Sequence, residues 1–341
     1  MATPPGAHRR TRSALVALCT AAVATVTVVP TTMGHADPGP SIREVQRKVE
    51  KLNHKAEQAA ERYNDARERR KSVEARLDAL QHRVNDQQAE VDRMQSKVGG
   101  LAAATYRNGG FGSEMRLILS DDPRQFIEQA TALEQVSRQQ GAVLRHVVEA
   151  KRELAADQRL LAAQQAALAK IRRTLHSEKR DVEKQLDKAE QVLGSLEAEQ
   201  RARLEAQQEA AAEEASSVGS YTGPASGRAR VAVEYAYAQL GDSYEYGATG
   251  PSEWDCSGLT MMAWNQAGVS LPHSSSMQYE QGRKVARSDL QPGDLVFFYQ
   301  PVSHVGIYVG GGNMIHASNE SSPVKMDPIS YMPEYTGATR P

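Results

Sequence analysis

Trp254-Asp255-Cys256-Ser257-Gly258-Leu259 begins an apolar stretch that continues through Trp264 to Gly268, and His304-Val305-Gly306-Ile307-Tyr308-Val309 follows further along the chain. These two segments decide the fold of the C-terminal third. The first is too long and too evenly apolar for a strand, so it predicts a buried helix with Cys256 in its first turn. The second is a β-type run, flanked by similar runs at Leu295–Tyr299, Asn313–Ala317 and Pro323–Met326. Arg228 to Leu240, upstream, has helical spacing and stops at Gly241. Helices first and strands after form an α+β pattern.

The rest of the chain is different in kind. Of 18 aromatic residues, 13 lie between Arg228 and Pro341, while residues 37–219 hold only Tyr63, Tyr106, Phe111 and Phe126. From Ile42 to Leu101 an alternating three-four spacing picks out 18 positions, of which only Arg70 and Gln87 are neither apolar nor Ala or Tyr. A 3.5-residue repeat held this long means a coiled coil. A second series starts near Leu133 and runs through Val147, Leu154, Leu161, Leu168, Leu175, Val182, Ala189 and Leu196, with Asp157, Gln164, Glu178 and Gln185 weakening its other seam. Gly99-Gly100, Gly109-Gly110 and Gly112 predict a break, and Ser120-Asp121-Asp122-Pro123 a fresh helix start. The multidomain fold expected is therefore a long antiparallel coiled-coil α-hairpin (37–215, tip near 99–124), a flexible linker (216–227) and an α+β domain (228–341). Met115-Arg116-Leu117-Ile118-Leu119 at the tip is either a small cap or a docking surface. The charged faces of both helices read as solvated coiled-coil surface.

Residues 1–36 read as a secretory signal: Arg9, Arg10 and Arg12, an uncharged run from Ala14 to Pro30, and small Gly34 and Ala36 flanking His35. A lipoprotein reading at Cys19 is weaker because Leu18 is bulky. The expected location is extracytoplasmic, at the cell wall. Residues 37–227 carry 31 basic and 31 acidic side chains, and residues 228–341 carry 7 and 11. Without a basic excess, nucleic acid is not a partner.

Cys19 leaves with the signal, so Cys256 stands alone in an exported chain, where disulfide pairs are the rule. At a helix N-terminus the dipole and free N–H groups favour thiolate. His304 and His316 lie on successive strands around Gly310-Gly311-Gly312-Asn313, a spacing that can set two imidazoles side by side. One then takes the thiol proton and the other orients it. A buried structural cysteine and a zinc site remain alternatives on these residues; zinc lacks a second acid or thiol at ligand spacing.

Tyr244-Glu245-Tyr246-Gly247-Ala248, the Cys256 segment, Leu271-Pro272, Gln291-Pro292-Gly293-Asp294-Leu295-Val296-Phe297-Phe298, Ser303 to Val309 and Met314-Ile315-His316-Ala317 closely resemble, in order, the NlpC-type cysteine peptidases of bacterial cell walls. The resemblance implies a stripped-down papain-like fold and hydrolysis of peptidoglycan stem peptides, typically between D-glutamate, through its side-chain carboxyl, and meso-diaminopimelate. It implies Cys256 as nucleophile, His304 as base, His316 as orienting residue and Tyr244 at the oxyanion. Asp255 and Ser257 would shape the substrate pocket, with the Asp255 carboxylate turned away from the sulfur. No metal or organic cofactor is implied. Tyr246, Ala248 and His273 stand where the family usually has tryptophan, glycine and arginine, and His273 reads as a surface replacement more than as a substrate contact. Amidase action at the sugar–peptide junction is the related alternative.

The N-terminal region resembles the coiled-coil part of exported cell-division hydrolases. That likeness implies that the tip, marked by Tyr106-Arg107-Asn108-Gly109-Gly110 and Leu119-Ser120-Asp121-Asp122-Pro123, meets a membrane-embedded, ABC-transporter-like complex. It also raises two expectations: an arm that covers the catalytic cleft until its tip is engaged, or a coiled coil that is itself the functional part and activates other wall hydrolases.

Overall fold

A computed structural model describes residues 41–107, 123–196 and 198–341. The signal-like segment, residues 108–122 of the tip and with them the apolar patch at 115–119 lie outside the described residues. Helix α1 (Ile42–Arg107) starts at a capping box in which Ser41 N donates to Glu44 Oε2 at 3.0 Å and Glu44 N donates to Ser41 Oγ at 3.4 Å. At 66 residues it is about 100 Å long. Gly99 and Gly100 do not stop it. Two glycines cost about 1 kcal/mol each against alanine, and a long helix packed on a partner absorbs this.

Helix α2 (Pro123–Gly194) runs back along α1. Val45 and Val49 meet Ala189 and Leu196 at one end, while Leu80, Val84 and Val91 meet Leu154 and Leu161 further up, which fixes an antiparallel pair. Two of the polar seam positions have partners on the opposite helix: Arg83 bonds Asp157 at 2.7 Å and Arg62 bonds Glu178 at 2.8 Å. Helix α3 (Ala198–Ser216) follows. Residues 217–226, expected to be a free tether, carry no helix or strand, yet Tyr221 and Ala225 are buried in the core of the C-terminal domain. Among the described residues no helix is long and apolar enough to cross a membrane.

The C-terminal domain opens with α4 (Gly227–Ala238), a short parallel pair β1 (Ser243–Tyr244) and β2 (Glu253–Trp254), then α5 (Cys256–Gln266) and α6 (Ser275–Gln281). Strands β3 (Arg283–Val285), β4 (Leu295–Phe298), β5 (His304–Gly310), β6 (Asn313–His316), β7 (Lys325–Pro328) and β8 (Tyr335–Arg340) make one antiparallel sheet in the order β3-β8-β4-β5-β6-β7. Alternation along β4 divides the core. Leu295 and Phe297 join Leu259 and Trp264 of α5 on one face, and Val296 and Phe298 join Met314 and Ile329 on the other. β3 and β8 were not visible in the sequence, because Arg283-Lys284-Val285 and Tyr335 to Arg340 lack apolar alternation. Long helices followed by a small α+β domain are the fold class that the sequence implies.

Candidate active site

Three elements deliver the site. Helix α5 is buried along its first turn, and Asp255 caps it: the Asp255 carboxylate accepts from Gly258 N at 2.6 Å and from Gly247 N at 3.0 Å. These bonds turn Asp255 toward backbone, as charge repulsion with a neighbouring thiolate requires. Gly258 is obligatory there, since a Cβ would lie 2.2 Å from the Ala248 carbonyl oxygen. Cys256 is the next residue and is buried. The β5–β6 pairing, with Ile307 opposite Ile315, then brings His304 and His316 together: His304 Nε2 lies 2.7 Å from His316 Nδ1. Gly306 allows this approach, because a Cβ would meet Met314 Sδ at 2.8 Å and His316 Cβ at 3.3 Å.

β7 adds two groups that sequence reasoning missed. Asp327 Oδ2 accepts from His316 Nε2 at 3.2 Å and from Lys325 Nζ at 3.0 Å. Burial lowers the His316 pKa to about 4, so this imidazole is neutral. Tyr244, on β1, is buried with its phenol pushed up by burial first and then by the charge of Cys256. Ser257 is fully buried.

The closed state of this site is made by the arm. Asn53, Glu57, Glu61 and Asn64 recur on one face of α1, off the coiled-coil seam, and all four are buried. Ala60 beside them is also buried and lines a cleft with Tyr246 and Gly247, where its small side chain lets the C-terminal domain approach the helix. Glu57 Oε1 accepts from His304 Nδ1 at 2.5 Å. Glu61 Oε1 accepts from Ser257 Oγ at 2.6 Å and lies 3.7 Å from the Cys256 sulfur, while Oε2 accepts from Ser275 N and Oγ, both at 2.6 Å. Asn64 Nδ2 donates to Asp255 Oδ2 at 2.9 Å, and Asp65 accepts from Ser274 and Ser276. Asn53 reaches Ser321 at 3.0 Å, and its carbonyl accepts from the Tyr246 hydroxyl at 3.3 Å. This stretch of α1 is therefore no solvated face. The signal that marks it is the run of Asn and Glu at spacings of four, four and three inside an alanine-rich patch.

Electrostatics follow from the arm. Burial tends to raise the Glu57 carboxyl, but the charge and hydrogen bond of His304 outweigh it and hold the group below the usual range. Burial and then the nearby Asp255 raise Glu61. Burial, then Glu61, Glu57 and Asp255, push the Cys256 thiol well up, against the Val305 amide that pulls it down. The thiolate expected from the helix dipole alone is thus absent in the closed form, because burial, joined by three nearby acidic side chains, outweighs a fraction of a charge.

His273 corrects another expectation. It is buried, and its Nε2 lies 2.8 and 2.9 Å from the two Asp255 oxygens. Burial lowers the His273 pKa, but the Asp255 charge more than compensates, so the ring is held above its ordinary value. It is a structural partner of the helix cap and no surface residue.

One donor atom each from Glu57, Cys256 and His304 lies within 4.8 Å of the others, a set of ligand types suited to zinc. The 2.5 Å between Glu57 and His304 is a hydrogen bond's length, shorter than the roughly 3.3 Å edge that ligands about 2.0 Å from a tetrahedral zinc would leave.

A helix-start thiol, a strand imidazole within 4.8 Å of it and a second imidazole behind that one define the class: a cysteine–histidine hydrolase site on an α+β scaffold. Residues 241–340 match the NlpC/P60 family, so the chain carries an NlpC/P60 domain in its C-terminal region. A protein of Corynebacterium glutamicum named a probable endopeptidase is 48% identical over 110 residues, covering 32% of this chain and 53% of its own length. A probable endopeptidase of Mycobacterium tuberculosis is 47% identical over 105 residues, covering 31% of this chain and 27% of its own. The chain thus spans about half the length of the first and about a quarter of the second. The solved NlpC/p60 domain of the peptidoglycan hydrolase SagA is 31% identical, covering 33% of this chain and 98% of that one, with a TM-score of 0.32.

Proposed function

We propose that this protein is an exported cysteine endopeptidase of peptidoglycan stem peptides, cutting between D-γ-glutamate and meso-diaminopimelate, and that α1 holds it inactive. The observation that carries the reading is the occupation of both halves of the catalytic pair by one helix: Glu57 on His304 Nδ1 and Glu61 against Cys256 and Ser257. With the arm displaced, His304 takes the thiol proton. The thiolate attacks the amide carbonyl, and the oxyanion forms beside the Cys256 N–H and the Tyr244 hydroxyl. Protonated His304 then gives its proton to the leaving amine, and water, deprotonated by His304, hydrolyses the thioester. Ser257 and the Ser275 amide, which now hold the Glu61 carboxylate, become free to bind an acidic group of the stem peptide. Engagement of the hairpin tip by a membrane-embedded, ABC-transporter-like complex at the division site would displace the arm.

The test is mass spectrometry of muropeptides released from sacculi by the full chain carrying Glu57→Ala and Glu61→Ala. Fragments ending at D-glutamate, lost on adding Cys256→Ala, are expected. Products cleaved between sugar and peptide, or release that survives Cys256→Ala, would overturn the assignment.

A further inference from the structure

We infer that Asp327 is a positioning residue that fixes the protonated nitrogen of both imidazoles and so leaves Nδ1 of His304 free to act as the base. The inference rests on the peptidase reading above and adds a residue outside the Cys256–His304–His316 set. Asp327 pairs with Met314 across the β6–β7 ladder, one position along the same face from His316, whose direct partner is Lys325. Diagonal neighbours of this kind are within side-chain reach, and Asp327 Oδ2 sits 3.2 Å from His316 Nε2.

An ionised carboxylate has no proton to give. Burial tends to raise Asp327, but the bond to His316 and the Lys325 ammonium 3.0 Å away hold it below the usual carboxylate range. Neutral His316 carries one N–H, and Asp327 draws it to Nε2. His316 Nδ1 is then an acceptor. Its neighbour at 2.7 Å, His304 Nε2, must donate. With Glu57 withdrawn, the lone pair of neutral His304 consequently lies on Nδ1, the nitrogen that faces Glu57 in the cluster both residues form with Cys256. Reversing the first bond reverses every later one: His316 protonated on Nδ1 would force the proton of His304 onto Nδ1, where it cannot accept from the thiol. His304 on β5, Asp327 and Lys325 on β7, and Glu57 on α1 are the charged or titratable groups bonded along this relay.

Nitrogen-15 NMR of histidine-labelled full-length protein bearing Glu57→Ala and Glu61→Ala tests it. The expected spectrum shows His316 protonated on Nε2 with a bare Nδ1, and the same tautomer for His304. Asp327→Leu should move His304 toward the Nδ1–H form and lower kcat by about 10²-fold with little change in KM, on the scale of losing a positioned general base. Asp327→Glu, which keeps a carboxylate acceptor, should restore the tautomer and part of the rate. His316 found protonated on Nδ1 in the parent, or Asp327→Leu with unchanged tautomers, would overturn the inference. The spectrum is read without substrate. A parent with the expected tautomers but no cleavage of sacculi would therefore count against the peptidase reading alone.

Discussion

Replacing Glu57 by glutamine should turn the full chain on. The carboxylate of Glu57 is buried, and its 2.5 Å contact with His304 Nδ1 is one of the few attractive charge interactions of the arm within the cleft. Glutamine keeps the size and removes the charge. A hydrogen bond involving a charged group contributes about 1.5–3 kcal/mol. The closed arm should therefore weaken by about 1–3 kcal/mol, which multiplies the open population about 5- to 150-fold while the closed form still dominates. Two assays read that population in different ways. One is the initial rate of muropeptide release. The other is the rate of iodoacetamide alkylation of Cys256, followed by mass spectrometry of its peptide. Both should rise by the same factor, because both need the sulfur uncovered and ionised. Equal alkylation rates in the parent and in Glu57→Gln would refute the idea that this contact holds the site shut. Faster alkylation without faster cleavage would instead show that the arm does more than cover the thiol.

Glu61 should behave differently. Burial and Asp255 oppose its ionisation, so Glu61→Gln, which can accept from Ser275 and donate to Ser257, should leave alkylation of Cys256 within about two-fold of the parent, whereas Glu61→Ala, which leaves the Ser275 amide unpaired, should speed it about 10-fold or more. His273→Ala removes a buried partner of the α5 cap and should destabilise the C-terminal domain by about 2 kcal/mol in urea unfolding followed by tryptophan fluorescence. Stability should also fall on acidification. His316 titrates near 6.5 when unfolded and about 4 here, so between those values the unfolded chain binds the extra proton, and up to about 3 kcal/mol is lost as pH drops from 6.5 to 4. Replacing His316 with glutamine should flatten that part of the pH profile.

The C-terminal third of the molecule was largely legible. Cys256 at a helix start, and His304 and His316 on strands joined by a glycine turn, are local patterns, and local patterns survive folding. So did the heptads, whose apolar positions pair Val45 with Ala189 and Leu80 with Leu154 as an antiparallel hairpin demands. What escaped was whatever depends on two distant segments meeting. Asn53, Glu57, Glu61 and Asn64 look like ordinary polar coiled-coil surface until the cleft is laid over them. His273 passes for a surface substitution because the carboxylate that buries it is 18 positions away. Asp327 lies one residue beyond the Pro323–Met326 run that reads as β-type, and only the ladder with β6 reveals its neighbour. The thiolate was misjudged for the same reason: the dipole of α5 is written locally, and the opposing carboxylates of α1 are not.

The groups that seal the cleft all belong to one unbroken helix, within about four turns between Asn53 and Asp65. Sliding such a helix by one residue moves it 1.5 Å and turns it about 100°, enough to carry every one of those side chains off its partner at the same moment. Partial disengagement is then geometrically awkward, and a modest pull or twist applied about 70 Å away, near Arg107, would unseat the whole row together, giving a threshold response with no graded range between silent and fully exposed.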